Sequence, residues 1–254
     1  KDHFYEDDEN NKRIFERVAQ KCYLPANKKI LELIQQHQGK FKVSFSITGT
    51  ALEQMVKFSQ ETLESFQALA KTGCVEFIGE TYYHSLAALY SENEFKHQVA
   101  LHQETIHKYF GNLTKTFRNT ELIYNNDIAR MIESLGFRVI LAEGADKILG
   151  WRSQNFLYQP KPCDKLTLLL KNYQLSDDIA FRFSHAPWLE YPLTADKFAA
   201  WLHRLGGNAE TVNLFMDYET FGEHQWKETG IFDFLEYFPK ATLSHPHFEF
   251  ATPF

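Results

Sequence analysis

Apolar positions along this chain switch repeatedly between helical and strand spacing, and the alternation outlines a fold. Ile14, Val18 and Cys22 stand four apart and predict a helix, ended by Pro25. "KVSFSIT" (42–48) alternates Val43, Phe45 and Ile47 as a strand does. Leu52, Met55, Val56, Leu63, Phe66 and Ala70 then fall on one helical face. "CVEFIG" (74–79) reads as a strand, and Phe95, Val99, His102, Ile106 and Tyr109 mark the next helix. A short strand at "KTFRN" (115–119) leads to Glu121, followed by a helical stripe of Ile128, Met131, Ile132 and Leu135. "FRVILAEG" and "KLTLLLKN" read as buried strands. Phe198, Trp201, Leu202 and Leu205 are helical, "TVNLFMD" (211–217) is a strand, and Ile231, Phe234, Leu235 and Phe238 are helical again. The stretch from Gly144 to Cys163 follows neither period and predicts a long loop or subdomain.

Strands alternating with helices imply parallel βα units. At 254 residues, with no linker, repeat or low-complexity run, the chain is expected to form one domain over 1–254. No GxGxxG or GxxxxGK[ST] follows any strand, which favours a (β/α) barrel over an open doubly wound sheet. Both ends look cut. The chain starts on "KDHFYEDDEN" without a methionine and stops on "HFEFATPF", which reads as a strand just begun.

Composition narrows the function classes. A net charge of −6 without a Lys/Arg block speaks against a nucleic-acid partner. No run approaches the roughly 18 apolar residues of a membrane span. Cys22, Cys74 and Cys163 are odd in number, far apart and without a CxxC, so neither a disulfide framework nor a zinc ribbon is expected. That usage fits a reducing, cytoplasmic compartment. With 23 Phe and 12 Tyr, aromatics exceed what a core alone needs, and some are expected to line a groove.

Chemistry in such a barrel sits on loops after the strand C-termini. Three polar clusters stand there. "GCVEFIGETYYHS" carries Glu76, Glu80, Tyr82, Tyr83 and His84; "FRNTELIYNN" carries Glu121; "FMDYETFGEHQW" carries Asp217, Glu219, Glu223, His224 and Trp226. Glu121 and Asp217 would project into one mouth. Two carboxylates facing each other over an aromatic cleft are the minimum kit for glycoside hydrolysis, one acting as nucleophile or base and the other as acid. Acids at a rim are common, however, and spacing alone leaves the matter open.

The wording of the motifs adds to this. "DYETFG", from Asp217 to Gly222, resembles the fourth signature region of glycoside hydrolase family 57. "FRNTEL" is similar to the third region, and "GCVEFIGETYYH" to the second. The resemblance implies an incomplete (β/α)7 TIM-like barrel with outer helices and a retaining mechanism on α-glucans such as starch, glycogen or maltodextrin. It also implies Glu121 as nucleophile, Asp217 as general acid/base, and no cofactor. Two departures stand out: Arg118 occupies the place of a tryptophan usual three residues before the glutamate, and the first and fifth signature regions are not found. The wording is most like the α-amylase members, with 4-α-glucanotransferase or branching activity as the alternative.

Substrate contacts are expected from Glu76, His84, Glu219, His224, Trp226, Trp188 and Arg182, each with a plainer reading beside it. Glu219 could orient a neighbouring acid, and Glu76 could pair with an arginine. Arg182 could be an ion-pair partner of Asp177 or Asp178, and either tryptophan could anchor a loop. His97 and His102 read as surface or packing residues. A metal-dependent polysaccharide deacetylase remains a separate reading, weakened because Ala88 and Leu89 stand where a second histidine after His84-Ser85 is needed. A non-catalytic glucan-binding barrel is the other. No metal is expected.

Overall fold

A computed structural model describes residues 7–111 and 113–254. Helix α1 (Asp8–Val18) opens on Asp7, whose carboxylate accepts the Asn10 N–H at 3.0 Å. The helix does not end at Pro25, as expected from the sequence. A π turn, Ala19–Tyr23, carries the chain into α2 (Leu24–Gln36), and the Leu24 N–H reaches Ala19 O, five residues back. Pro25 falls in the first turn of α2, where a missing N–H costs little.

Strand β1 (Val43–Ser46) follows, then α3 (Gly49–Phe58) and α4 (Gln60–Ala70). The single helical face read from 52 to 70 is thus two helices. Ser59 separates them in an extended conformation, and its hydroxyl accepts the Thr62 N–H as the cap of α4. Next come β2 (Val75–Ile78), the short α5 (Ala87–Tyr90), α6 (Glu92–Phe110), β3 (Thr116–Arg118), α7 (Asn126–Ser134) and β4 (Val139–Glu143). The irregular stretch after Gly144 holds α8 (Asp146–Leu149), turns and a single antiparallel bridge from Tyr158 to Leu168 of β5 (Thr167–Lys171). Helices α9 (Tyr173–Ala180), α10 (Ala195–His203) and α11 (Ile231–Leu243) complete the chain.

All strand pairs are parallel and follow chain order. β1 pairs with β2, β3 with β4, and β4 with β5. Single parallel bridges, Gly79 to Phe117 and Lys171 to Asn213, extend the order between β2 and β3 and beyond β5. The predicted strand 211–217 is reduced to that last bridge. Side chains take over its bonding: Asn213 Nδ2 donates to Leu170 O at 3.0 Å, and the Phe215 N–H to Ser176 Oγ at 3.1 Å. Helix α9 escaped the sequence reading, because "YQLSDDIA" carries too few apolar positions to reveal its period.

Among the described residues, three large apolar clusters and a small one at Ala142, Leu149 and Leu170 form the core. Phe45, Phe66 and Phe77 centre the first, where Phe77 and Phe110 stack at 3.9 Å. Phe95, Phe117 and Phe137 centre the second, and Phe198, Phe234 and Phe238 the third. Many of the aromatics therefore serve packing. Among the described residues no helix is long and apolar enough to cross a membrane.

Candidate active site

The loops after β2 and β3 lie against each other at the C-terminal end of the parallel strands. Thr81 and Thr120 bond through their hydroxyls at 3.0 Å, and Thr120 Oγ1 also donates to Ser85 O at 2.7 Å. This lock brings together His84 and Glu121, which the sequence had placed in separate clusters. His84 Nε2 stands 3.0 Å from Glu121 Oε1, and Nδ1 stands 3.1 Å from Glu80 Oε2. Both ring nitrogens are thus engaged by carboxylates.

Glu80 is fully buried, which for a carboxylate requires partners. Ser46 Oγ donates to its Oε1 at 2.6 Å, and the Arg118 guanidinium lies 3.7 Å from Oε2. Burial pushes the carboxyl up, but the His84 and Ser46 bonds, with the Arg118 charge, hold it below its ordinary value. The Glu80 bond raises the His84 pKa, opposed by partial burial and supported by the Glu121 bond. Glu121 is lowered, chiefly by the His84 bond. Its side chain is 72% exposed, so the carboxylate reaches open space while tethered at one oxygen.

The backbone here is unusual. His84, Glu121 and Leu122 have φ of 52°, 53° and 55°, a left-handed conformation that non-glycine residues seldom adopt. Such strain collects at sites where surrounding contacts over-determine the geometry.

His102, read as a surface or packing residue, is completely buried on α6 and ties two strand ends together. Its Nδ1 accepts the Glu80 N–H at 3.3 Å, and Nε2 donates to Ile47 O at 2.7 Å. That pattern needs the neutral ring, and burial depresses its pKa.

Asp217 is exposed at the start of a 3-10 turn, Tyr218–Thr220. Its segment meets that of Glu121 where the Arg118 guanidinium covers the Phe215 ring at 5.2 Å. Arg118, noted only as a departure from the motif, thus touches Glu80, His84 and Phe215. Glu219 turns inward instead and accepts the Tyr23 hydroxyl at 2.5 Å. Tyr23 lies parallel to the Tyr218 ring, and Tyr218 OH donates to Asn27 Oδ1 at 2.6 Å. Glu223 pairs with Arg17 at 2.9 Å and Lys21 at 3.4 Å, fastening the same loop to α1 and the π turn.

The other candidates lie apart from this network. Glu76 Oε2 accepts the Phe254 N–H at 3.1 Å; its Oε1 is buried without a partner, and burial raises the carboxyl pKa. Arg182 pairs with Asp178 at 2.6 Å and lies 5.8 Å from the Trp188 ring, which meets Trp201 edge-on. His224 is exposed, and Trp226 is largely so, with Lys21 Nζ 5.9 Å from its ring. Glu80, named in its cluster but given no role, had a signal in its four-residue spacing from His84. Tyr23 had none.

Comparison with known proteins agrees with the motifs. The family model described as glycosyl hydrolase family 57 matches residues 2–254. A Methanocaldococcus jannaschii protein named "Putative alpha-amylase" is 53% identical over 246 residues, covering 96% of this chain and 51% of that protein. This chain therefore spans about half the length of that relative. The 4-alpha-glucanotransferase of Thermococcus litoralis superposes with a TM-score of 0.72 at 19% identity, over 88% of this chain and 34% of that one. A family 57 type branching enzyme from Pyrococcus horikoshii gives 0.69 at 14% identity, over 91% and 63%. At these identities the two structures speak for the fold alone. Signature motifs, fold and a family match running from residue 2 to residue 254 agree: the chain belongs to glycosyl hydrolase family 57.

Proposed function

We propose that this chain carries the catalytic centre of a retaining glycoside hydrolase acting on α-glucans, with Glu121 as nucleophile and Asp217 as general acid/base. The observation that carries the reading is the tethered, left-handed Glu121 at the end of β3, held by a histidine that a buried carboxylate holds in turn. In the first step a Glu121 oxygen bonds the anomeric carbon while the glycosidic C–O bond breaks. The leaving oxygen takes a proton from Asp217. In the second step water loses a proton to Asp217 and displaces Glu121, so two inversions restore the α configuration. This demands a carboxylate separation of roughly 5–5.5 Å in the working enzyme.

The parallel segments, ordered as in the chain, support a (β/α)7 barrel of which these residues form the larger part. Exposed Trp226 and His224 remain candidates for sugar contacts, as do Glu76 and the Arg182–Trp188 pair. α-Amylase-type hydrolysis is favoured by the name of the relative at 53% identity. Nuclear magnetic resonance of the full-length enzyme with maltoheptaose tests the mechanism: the first-formed anomer should be α, and a β product would overturn the nucleophile assignment. Shorter products alone mean hydrolysis, whereas longer ones mean transfer.

A further inference from the structure

We propose that His84 is a positioning residue that works as an imidazolium, clamped between Glu80 and Glu121 and holding one nucleophile oxygen so that the other faces the sugar. The inference rests on Glu121 being the nucleophile and adds how it is aimed.

A neutral imidazole has one N–H, and an ionised carboxylate only accepts. Both ring nitrogens nevertheless stand at hydrogen-bond distance from carboxylate oxygens, 3.1 Å to Glu80 and 3.0 Å to Glu121. Either the ring carries two protons or one of the acids carries one. Glu80 is held as the anion by the Ser46 hydroxyl at 2.6 Å and the Arg118 guanidinium at 3.7 Å. Glu121 must be ionised to attack. The ring is therefore doubly protonated. Arg118 Nη1 also lies 3.5 Å from Nδ1, but a lone pair there would face the Glu80 oxygen at the shorter 3.1 Å. The groups facing His84 thus sum to zero: Glu80 on its own loop and Glu121 beyond β3 are negative, the ring and Arg118 on β3 positive.

Chain conformation points the same way. His84 and Glu121 both sit in the left-handed region, as does Leu122 beside Glu121, so both residues that form the bond are held in a strained backbone. The Thr81–Thr120 bond holds the two loops together at this point. With Oε1 bound to Nε2–H, the other oxygen is free to form the bond to the anomeric carbon. In the covalent intermediate Nε2–H remains on the ester carbonyl oxygen. When water attacks, charge returns to a carboxylate that already has its donor in place.

The test uses the full-length enzyme and His84→Gln, which retains one donor but no charge. A misplaced nucleophile should lower kcat about a hundredfold, the cost of an error of about 1 Å, with KM nearly unchanged. The acid limb of the kcat/KM profile should move to higher pH as Glu121 loses its cation. A raised KM with an unmoved acid limb would mean that His84 binds sugar hydroxyls, and would overturn the clamp. Glu121→Gly with azide separates the two readings. If that variant keeps its activity, the nucleophile assignment fails. If it loses activity and regains it as a β-glycosyl azide, while His84→Gln leaves the acid limb in place, only the clamp fails. Should His84→Gln not fold, nitrogen-15 spectra of His84 in the unaltered enzyme decide. Two protonated ring nitrogens at pH 6 support the inference, and a neutral tautomer there overturns it.

Discussion

A single glycine explains why the strand-end acids are followed by a turn. Gly222 is buried at φ 119°, and a Cβ placed there would stand 1.9 Å from the Lys21 carbonyl oxygen. Backbone cannot yield as a flexible side chain would. Gly222→Ala combines left-handed strain of about 1–3 kcal/mol with overpacking of about 1–3 kcal/mol. Urea unfolding should therefore show a loss of about 2–6 kcal/mol; a midpoint unchanged from the parent would mean that the loop leaves the π turn freely. At this scale the sequence was legible only where an acid followed an apolar run. Glu121 and Asp217 stood out by position. Glu80, Arg118 and His102 did not, because a buried polar group is recognised by its partners, and those lie far off in the chain, as Ile47 does at 55 positions from His102.

At the scale of elements, the π turn between α1 and α2 deserves the closest reading. Its extra residue swings Cys22 and Tyr23 onto the loop after residue 217, where Cys22 Sγ donates to Tyr218 O at 3.1 Å and Tyr23 to Glu219. Burial raises the Tyr23 pKa, with Glu219 adding to it, so the phenol keeps its proton and stays a donor. Tyr23→Phe retains the ring packing and removes only that bond to a charged acceptor. A stability loss of about 1.5–3 kcal/mol is expected, read as a lower Tm by calorimetry; equal Tm values would show that water replaces the phenol. Strand and helix periods in the sequence located most elements, but not this one: Ile14, read there as part of the apolar stripe, is exposed, and the buried face runs through Phe15, Ala19 and Cys22. The break at Ser59 was hidden likewise, because α3 and α4 bury faces that continue one another in the sequence. The strand at 211–217 misled in the opposite direction: its alternation is real, while its backbone bonds are taken by Asn213 and Ser176.

Across the whole molecule, two histidines that share Glu80 give stability opposite dependence on pH. His102 on α6 must be neutral, and its folded pKa lies below the ordinary 6.5. The stability it contributes is present above 6.5 and is lost as the pH falls from there through the depressed value, because only the unfolded chain takes up the proton. His84 has its folded pKa raised above 6.5 by Glu80 and Glu121. Its contribution is full below 6.5 and is lost as the pH rises through the raised value. The two windows meet near 6.5 and together favour a stability maximum there. Glu80, held below its ordinary 4.5, contributes fully above 4.5 and loses that contribution as the pH falls from there through the lowered value. Substitution separates the two signs. His102→Gln should gain stability on acidification from pH 8 to 6.5 and show a weaker loss than the parent from 6.5 to 5. His84→Gln should lack the gain and keep the loss. Thermal unfolding of the three proteins at matched ionic strength checks this, and curves that run parallel throughout would mean that neither ring senses the folded state through Glu80. Opposed slopes would instead show that folding raises the pKa of His84 and lowers that of His102.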